Sequence, residues 1–308
     1  MLTYPQINVS KSESHDQQSA SWVTALELLN QSQLRGFERI GCGTCAAACF
    51  PDASQAVVQL AADQISFLFL FDDLYPEGTF RLDPNGLRTA LRPYVDIVSG
   101  RPGAVMPATA YARALNDLVL RAVASAPAFW RARYAKSFEA YCEGCVLEAE
   151  ARLEGVAPSL QAYLELRRGS IGMSPMFDLM ELTHGVFLTD EEFETPVVTR
   201  LRELGADLSA LVNDLSSLEK EEAVGDVCNA VIVLQASLGC GRNEALDAVA
   251  TLHNQLLAEL ETLEKQLGNT RPGSAMALYA RSIRQWVHGH YGWILSSRRY
   301  APARSLAA

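Results

Sequence analysis

The sequence predicts an all-α chain folded as one large domain. Three observations carry this reading. Apolar residues recur at three- and four-residue spacing from Trp22 onward, alternating β-branched runs are nearly absent, and the breaks between periodic segments are short turns rather than linkers. With 308 residues, 49% of them hydrophobic and 20% charged, the chain has the apolar material for a sizeable core.

Taken in order, residues 1–20 are polar and are expected to stay loose until something docks on them, residues 21–300 form the helical domain, and residues 301–308 make an unanchored tail. An intensely apolar helix through Phe67–Phe71 is expected to stop near Pro76 and Gly78. Further helices are predicted over Tyr111–Ala126, Phe138–Leu153, Phe193–Glu222, Ala223–Leu238 and Asn243–Gln266, the last with Leu252, Leu256, Leu260 and Leu263 on one face. Breaks fall at Pro51–Ser54, Asp83–Gly86, Gly100–Gly103, Gly172–Pro175 and Gly268–Gly273. No internal repeat or low-complexity tract interrupts the pattern.

Charge excludes some classes. Asp and Glu number 36 against 26 Lys and Arg, a net charge of -10, which argues against a general nucleic-acid binder and requires that any anionic ligand be held by a local cationic device. No apolar run approaches the roughly 18 to 20 residues of a membrane span. The opening MLTYPQINVSKSESHDQQ lacks a basic segment followed by an apolar one, so no secretory signal is expected. Seven cysteines are too few and too odd in number for a disulfide scaffold, which fits a reducing compartment and a cytoplasmic location.

Two stretches carry chemistry. Asn213, Ser217 and Glu221 recur every four residues, an advance of about 40° beyond a full helical turn, so their oxygens share one side. An amide carbonyl, a hydroxyl and a carboxylate make a hard-oxygen set suited to Mg²⁺; alone, the same spacing also describes a polar stripe on a solvated helix. The second stretch is the apolar run that ends in Asp72 and Asp73, where unpaired charge at a greasy rim is expensive and the helix dipole opposes it. Divalent cations resolve both conflicts, and exposed turn acids are the alternative.

With these residues in view, the sequence resembles the bacterial class I terpene synthases (terpene cyclases). Asp72-Asp73-Leu74-Tyr75-Pro76-Glu77 is similar to their DDxxxE motif, and Asn213 to Glu221 to their NDxxSxxxE motif, including the lysine before the glutamate. Tyr163 to Gly172 resembles the segment with the diphosphate-sensing arginine and the effector residue, and Arg299-Tyr300 the C-terminal pair, preceded by Trp286, Gly289 and Trp293. The resemblance covers roughly residues 20 to 300, with four motifs in family order.

The resemblance implies a single-domain helical bundle of the class I terpene synthase (isoprenoid synthase) type that holds three Mg²⁺ ions around the diphosphate of a linear isoprenyl substrate. By motif position Asp72, Asn213, Ser217 and Glu221 are the metal ligands. Asp73 and Glu77 are further metal ligands or organisers of hydrogen bonds. Arg168, with Arg167 as fallback, senses the diphosphate, Gly172 is the effector and Ile171 its linker. Lys220, Arg299 and Tyr300 supply further hydrogen bonds to phosphate oxygens.

Phe69, Phe177 and Trp286 are candidates for an aromatic pocket lining, core packing being the other role for each. The implied activity is a lyase that ionises farnesyl diphosphate and cyclises it to a sesquiterpene, with geranyl and geranylgeranyl diphosphate as alternative substrates. A chain-elongating isoprenyl diphosphate synthase would need a second aspartate-rich motif where Asn213, Ser217 and Glu221 stand. Oligomeric state stays open, a homodimer being an option because such bundles often pair.

A non-catalytic reading rests on Cys42-x-x-Cys45 and Cys142-x-x-Cys145, a four-thiolate zinc pattern to which Gly144 lends a knuckle-like look. The long separation of the pairs, the extra Cys49 and the helical pattern through Cys142 and Cys145 weaken it. His288 and His290, two apart, lie on different sides of a helix.

Overall fold

The computed structural model describes residues 1–4, 9–101 and 107–300, and among them there are helices and no strands. The order is α1 (Glu13–Ala25), α2 (Gln31–Glu38), α3 (Cys42–Cys49), α4 (Gln55–Leu74), a π-helical turn (Tyr75–Thr79), α5 (Pro84–Ser99), α6 (Ala110–Val123), α7 (Ala128–Glu154), α8 (Leu160–Ser170), α9 (Met173–His184), α10 (Asp190–Phe193), α11 (Pro196–Ala223), α12 (Ala230–Leu238), α13 (Arg242–Thr270) and α14 (Ala275–Ser296). Hydroxyl side chains start many of them: Ser54, Thr109, Ser159, Thr195 and Ser274 each accept a backbone N–H of the first turn.

Helix α4 is the centre of the bundle. Every residue from Leu60 to Leu68 is buried, including Asp63, Gln64 and Ser66, the mark of a helix surrounded on all sides. Its interior carboxylate, hydroxyl and amide oxygens are paired, Gln64 Nε2 alone of the α4 interior having no partner among the described residues. Asp63 accepts from Ser19 Oγ and Arg121 Nη1 at 2.8 Å each, and Gln64 accepts from Tyr134 Oη at 2.7 Å. Around it pack α1, α3, α6 and α9, with α14 and α11 beyond.

Several expectations are corrected. Residues 1–4 and 9–20 are not loose: Tyr4 stacks on Tyr291 at 3.9 Å and hydrogen-bonds His253, while His15 and Ser19 are buried beside α4. The interior partners of this polar segment are themselves polar, which apolar periodicity does not register. The helix expected over Ala223–Leu238 is broken, because Asp226 Oδ1 and Asn229 Oδ1 accept the N–H groups of Cys228 and Val231 at 2.9 Å, local bonds that compete with a continuous helix. Asp83–Gly86 is the start of α5, capped by Asp83, rather than a plain break. The 301–308 tail and the Pro102–Gly103 part of one expected break lie outside the described residues.

The zinc reading also fails among the described residues, where no three His, Cys, Asp or Glu side chains sit close enough to hold a metal by themselves. Cys42 and Cys45 lie on α3 and Cys142 and Cys145 on α7, all buried and free, and burial pushes the Cys42 thiol up to about 12. Gly144 is a packing residue instead. A Cβ there would stand 2.4 Å from Gly169 C and 2.5 Å from Ser170 N, so α7 and α8 touch backbone to backbone at this point.

Gly144→Ala is therefore expected to lower stability by about 1–3 kcal/mol through overpacking. Thermal unfolding reads this directly; an unchanged Tm would mean that α8 is not held this closely against α7.

Candidate active site

The first wall is the end of α4 and the π turn. Asp72 is half-buried and Asp73 exposed. Both Asp73 carboxylate oxygens accept from the Arg299 guanidinium, at 3.1 and 3.2 Å, and that guanidinium also lies 4.0 Å over the Phe69 ring. Glu77 accepts from Arg152 of α7.

The second wall is the last third of α11. Ser217 Oγ donates back to Asn213 O at 2.9 Å, and Glu221 accepts from Asn229 Nδ2 at 2.7 Å. Asn213 Oδ1 accepts from Arg167 Nη2 at 3.2 Å, and its Nδ2 donates to Tyr300 Oη at 2.8 Å. Asp214 faces inward with no exposure and clamps three elements: Tyr163 of α8 donates to it, as do the Arg167 guanidinium and, at 2.7 Å, the Ala230 N–H that opens α12. Lys220 stands exposed seven residues beyond Asn213, with no hydrogen bond or ion pair among the described residues.

Two sets of contacts join the walls. Arg299 and Tyr300, neighbours in sequence, reach Asp73 on one side and Asn213 on the other. From below, Glu148 of α7 accepts from both Arg152 Nη2 and Arg167 Nη1 at 3.2 Å, and those arginines hold Glu77 and Asn213 respectively. Asp226, beside the second wall, accepts from Arg152 Nε at 2.9 Å. A line of side chains thus runs Glu77, Arg152, Glu148, Arg167, Asn213.

Of the two arginines, Arg167 is the one against the triad. Arg168 instead forms a two-pronged bond to Asp207, 2.8 Å at each prong, and lies 3.3 Å from Glu203. This differs from the expectation of Arg168 with Arg167 as fallback, because adjacent helical residues point about 100° apart and motif position alone does not say which faces α11's polar end. Gly172 itself separates α8 from α9 with φ +73, a conformation that side chains disfavour, while space there is ordinary, the nearest atom being Tyr141 Cε2 at 3.5 Å.

Aromatic rings line α14. Trp286, His290 and Trp293 stack in sequence at 5.9 and 5.8 Å, and Trp293 continues to Phe69 at 5.7 Å and Tyr300 at 6.1 Å. Burial pushes His290 down to about 4, so its imidazole is neutral. Phe177 meets Trp286 edge-on at 6.3 Å and fits only because Gly205 has no side chain, a Cβ there standing 2.8 Å from its ring. Phe69 and Ile171 are half-buried, and Phe177 and Trp286 fully so.

The electrostatics suit cations. Burial first, then Glu77, push Asp72 up to about 7, with Asp73 and Glu148 adding to the effect and Arg299 opposing it. Burial and Asp214 do the same to Glu221, also to about 7. Each wall therefore carries a carboxylate whose charge is under-compensated by protein groups, beside hard oxygen donors, as a divalent metal requires.

A sequence profile described as terpene synthase family 2, C-terminal metal binding, matches residues 63–259. Pristinol synthase of Streptomyces pristinaespiralis is 32% identical, covering 92% of this chain and 79% of its own. The chain belongs to the bacterial class I terpene synthase family. It is an enzyme of that class, and its all-helical architecture is the family's. A Roseiflexus castenholzii relative, (+)-T-muurolol synthase ((2E,6E)-farnesyl diphosphate cyclizing), is 28% identical over 93% of this chain and 88% of its own. The crystal structure of germacradien-4-ol synthase from Streptomyces citricolor superposes with TM-score 0.80 at 25% identity, covering 95% of this chain and 97% of that one. Among the described residues of this terpene synthase, no helix is long and apolar enough to cross a membrane.

Motif reasoning did not reach Glu148, Arg152, Asp226 or Asn229, and it took Tyr163 only as the start of a motif segment. The available signal was a Glu and an Arg four apart in an Ala- and Leu-rich helix, a polar pair on what is otherwise an interior stripe.

The raised carboxylates make stability pH-dependent. Asp72 and Glu221 hold protons to about 7 when folded, against an ordinary carboxylate value of about 4, so their contribution is complete below about pH 4 and is lost as pH rises through about 7. In the presence of a chelator, Tm is expected to fall between about pH 4 and about pH 7 and to level off above, a divalent cation restoring it at the upper end only, and Asp72→Asn should flatten the slope. A chelated protein whose Tm does not change across that range contradicts the assignment.

Proposed function

We propose that this chain is a Mg²⁺-dependent cyclase that ionises farnesyl diphosphate and closes the resulting carbocation to a sesquiterpene. The observation that carries the reading is the pairing of Arg299 with Asp73 and of Tyr300 with Asn213, which sets two metal-suited walls on either side of one mouth above an aromatic-lined interior. Farnesyl diphosphate is chosen because the T-muurolol synthase relative is described as cyclising it.

Asp72 on one wall and Asn213, Ser217 and Glu221 on the other would hold Mg²⁺, three ions by family precedent, which would supply Lewis-acid charge to the leaving diphosphate. The protein's own cations add hydrogen bonds to phosphate oxygens: Arg167 in the sensing role, Arg299 and Tyr300 from the chain's end, and Lys220 at the rim. Asp73 and Glu77 act as organisers, each paired to an arginine rather than free to bind metal. Gly172 is the effector, opening the α8–α9 break toward the substrate, and Ile171 links it to the arginine. Phe69, Phe177 and Trp286 face the cation with π surfaces that stabilise it without attacking it, while the Arg299 and Tyr300 contacts exclude water that would trap it.

Incubation with geranyl, farnesyl and geranylgeranyl diphosphate plus Mg²⁺, followed by mass spectrometry, tests the reading. A cyclic C15 product from farnesyl diphosphate is expected; elongation with isopentenyl diphosphate, or no diphosphate release from any of the three, sinks it. Glu221→Ala and Asn213→Ala are expected to cut turnover by about 10²-fold or more, the loss that follows removal of a transition-state contact, with folding retained by circular dichroism. Turnover near the parent rate would remove these residues from the metal site. Arg167→Lys should cost about tenfold or more in kcat and Arg168→Lys less, since only the first faces the triad; the reverse order would restore Arg168 to the sensing role.

A further inference from the structure

Tyr141 of α7 is 2% exposed, and its hydroxyl finds no hydrogen-bond partner among the described residues. Buried phenols nearly always have one, and phenylalanine would fill almost the same space without stranding a polar group, so stability does not account for this oxygen. The thiol of Cys145, one turn on, reaches it and is a weak partner at most.

Its position is informative. The ring edge lies 3.5 Å from the point where a Gly172 side chain would begin, and Leu68 Cδ1 lies 3.7 Å from that same point. Leu68 is one helical turn before Asp72 on α4, and the charge of Asp72 reaches the phenol. The ring edge therefore meets the α8–α9 break and, through Leu68, the turn that precedes Asp72, the region where an isoprenyl chain would lie under the cyclase reading. Burial and the nearby Asp72 raise the phenol's pKa well above its ordinary value, so the group there is a neutral dipole.

We propose that Tyr141 is a product-determining residue whose hydroxyl oxygen faces the isoprenyl chain and solvates positive charge on the nearest carbons. The inference rests on the cyclase reading above. Ring faces such as Phe69 and Trp286 stabilise a cation diffusely, whereas a hydroxyl lone pair acts on one locus and so favours cations centred there over isomers centred elsewhere. No bond forms to the oxygen and no proton moves to or from it.

The test is Tyr141→Phe in the full chain with farnesyl diphosphate and Mg²⁺, the parent being assayed first. Diphosphate release is expected to stay within about threefold of the parent and the ratio of major to second product to shift by about fivefold, with Tm unchanged or raised. Identical product ratios with geranyl, farnesyl and geranylgeranyl diphosphate, from a variant that still releases diphosphate, overturn the inference alone. A Tm several degrees lower also overturns it, since the hydroxyl would then have a structural partner. A parent that releases no diphosphate from any of the three overturns the cyclase reading, and this inference with it.

Discussion

Arg299 and Tyr300 are consecutive, with α-carbons about 3.8 Å apart, yet their side chains end on opposite walls, one on Asp73 and the other on Asn213. That constraint fixes the mouth. Two acidic segments more than a hundred residues apart in sequence are held within reach of one small polar group, and neither could drift without breaking a contact to the same short stretch of chain. Beneath, Glu148 repeats the arrangement in the core, with one carboxylate joining the arginine that holds Glu77 to the arginine that holds Asn213. Charges buried this deeply are tolerable only because each is paired more than once, and removing one partner would leave the others uncompensated.

The same logic explains how a chain of net charge -10 would present the anion site proposed for it. Three of its cations, Arg152, Arg167 and Arg299, stand where the walls meet, and each already neutralises a carboxylate there. Asp72 and Glu221 are the exceptions, lifted to about 7 because no cation fully offsets their burial. Fixed arginines and under-compensated carboxylates side by side are what a metal-bound diphosphate would complete, since it brings positive and negative charge together.

Much of this was legible from residue spacing. The helical class follows from periodicity, and the oxygen set on α11 follows from a four-residue repeat, because both are local properties of one helix. Legibility ended where a decision depended on which face meets which neighbour. Arg167 and Arg168 are indistinguishable in sequence, and only α11 lying beside α8 separates them. Asp214 reads as a flank of the motif and is instead a three-way clamp, because Tyr163 and the start of α12 converge on it. Residues 9–20 read as loose because their polarity masks the burial of His15 and Ser19 against Gln55, Gln59 and Asp63 of α4. Glu148 and Arg152 carry no motif at all, their importance arising from contacts 19 to 75 residues away in sequence.

The central claim is that the two walls share cations around one diphosphate. Crystals grown with Mn²⁺ and inorganic diphosphate, examined by anomalous scattering, test it most directly. Manganese peaks are expected on Asp72 and on the Asn213, Ser217 and Glu221 oxygens, with a single diphosphate between them that Arg167 and Tyr300 also touch. Peaks confined to one wall, or a diphosphate bound away from both, would contradict it.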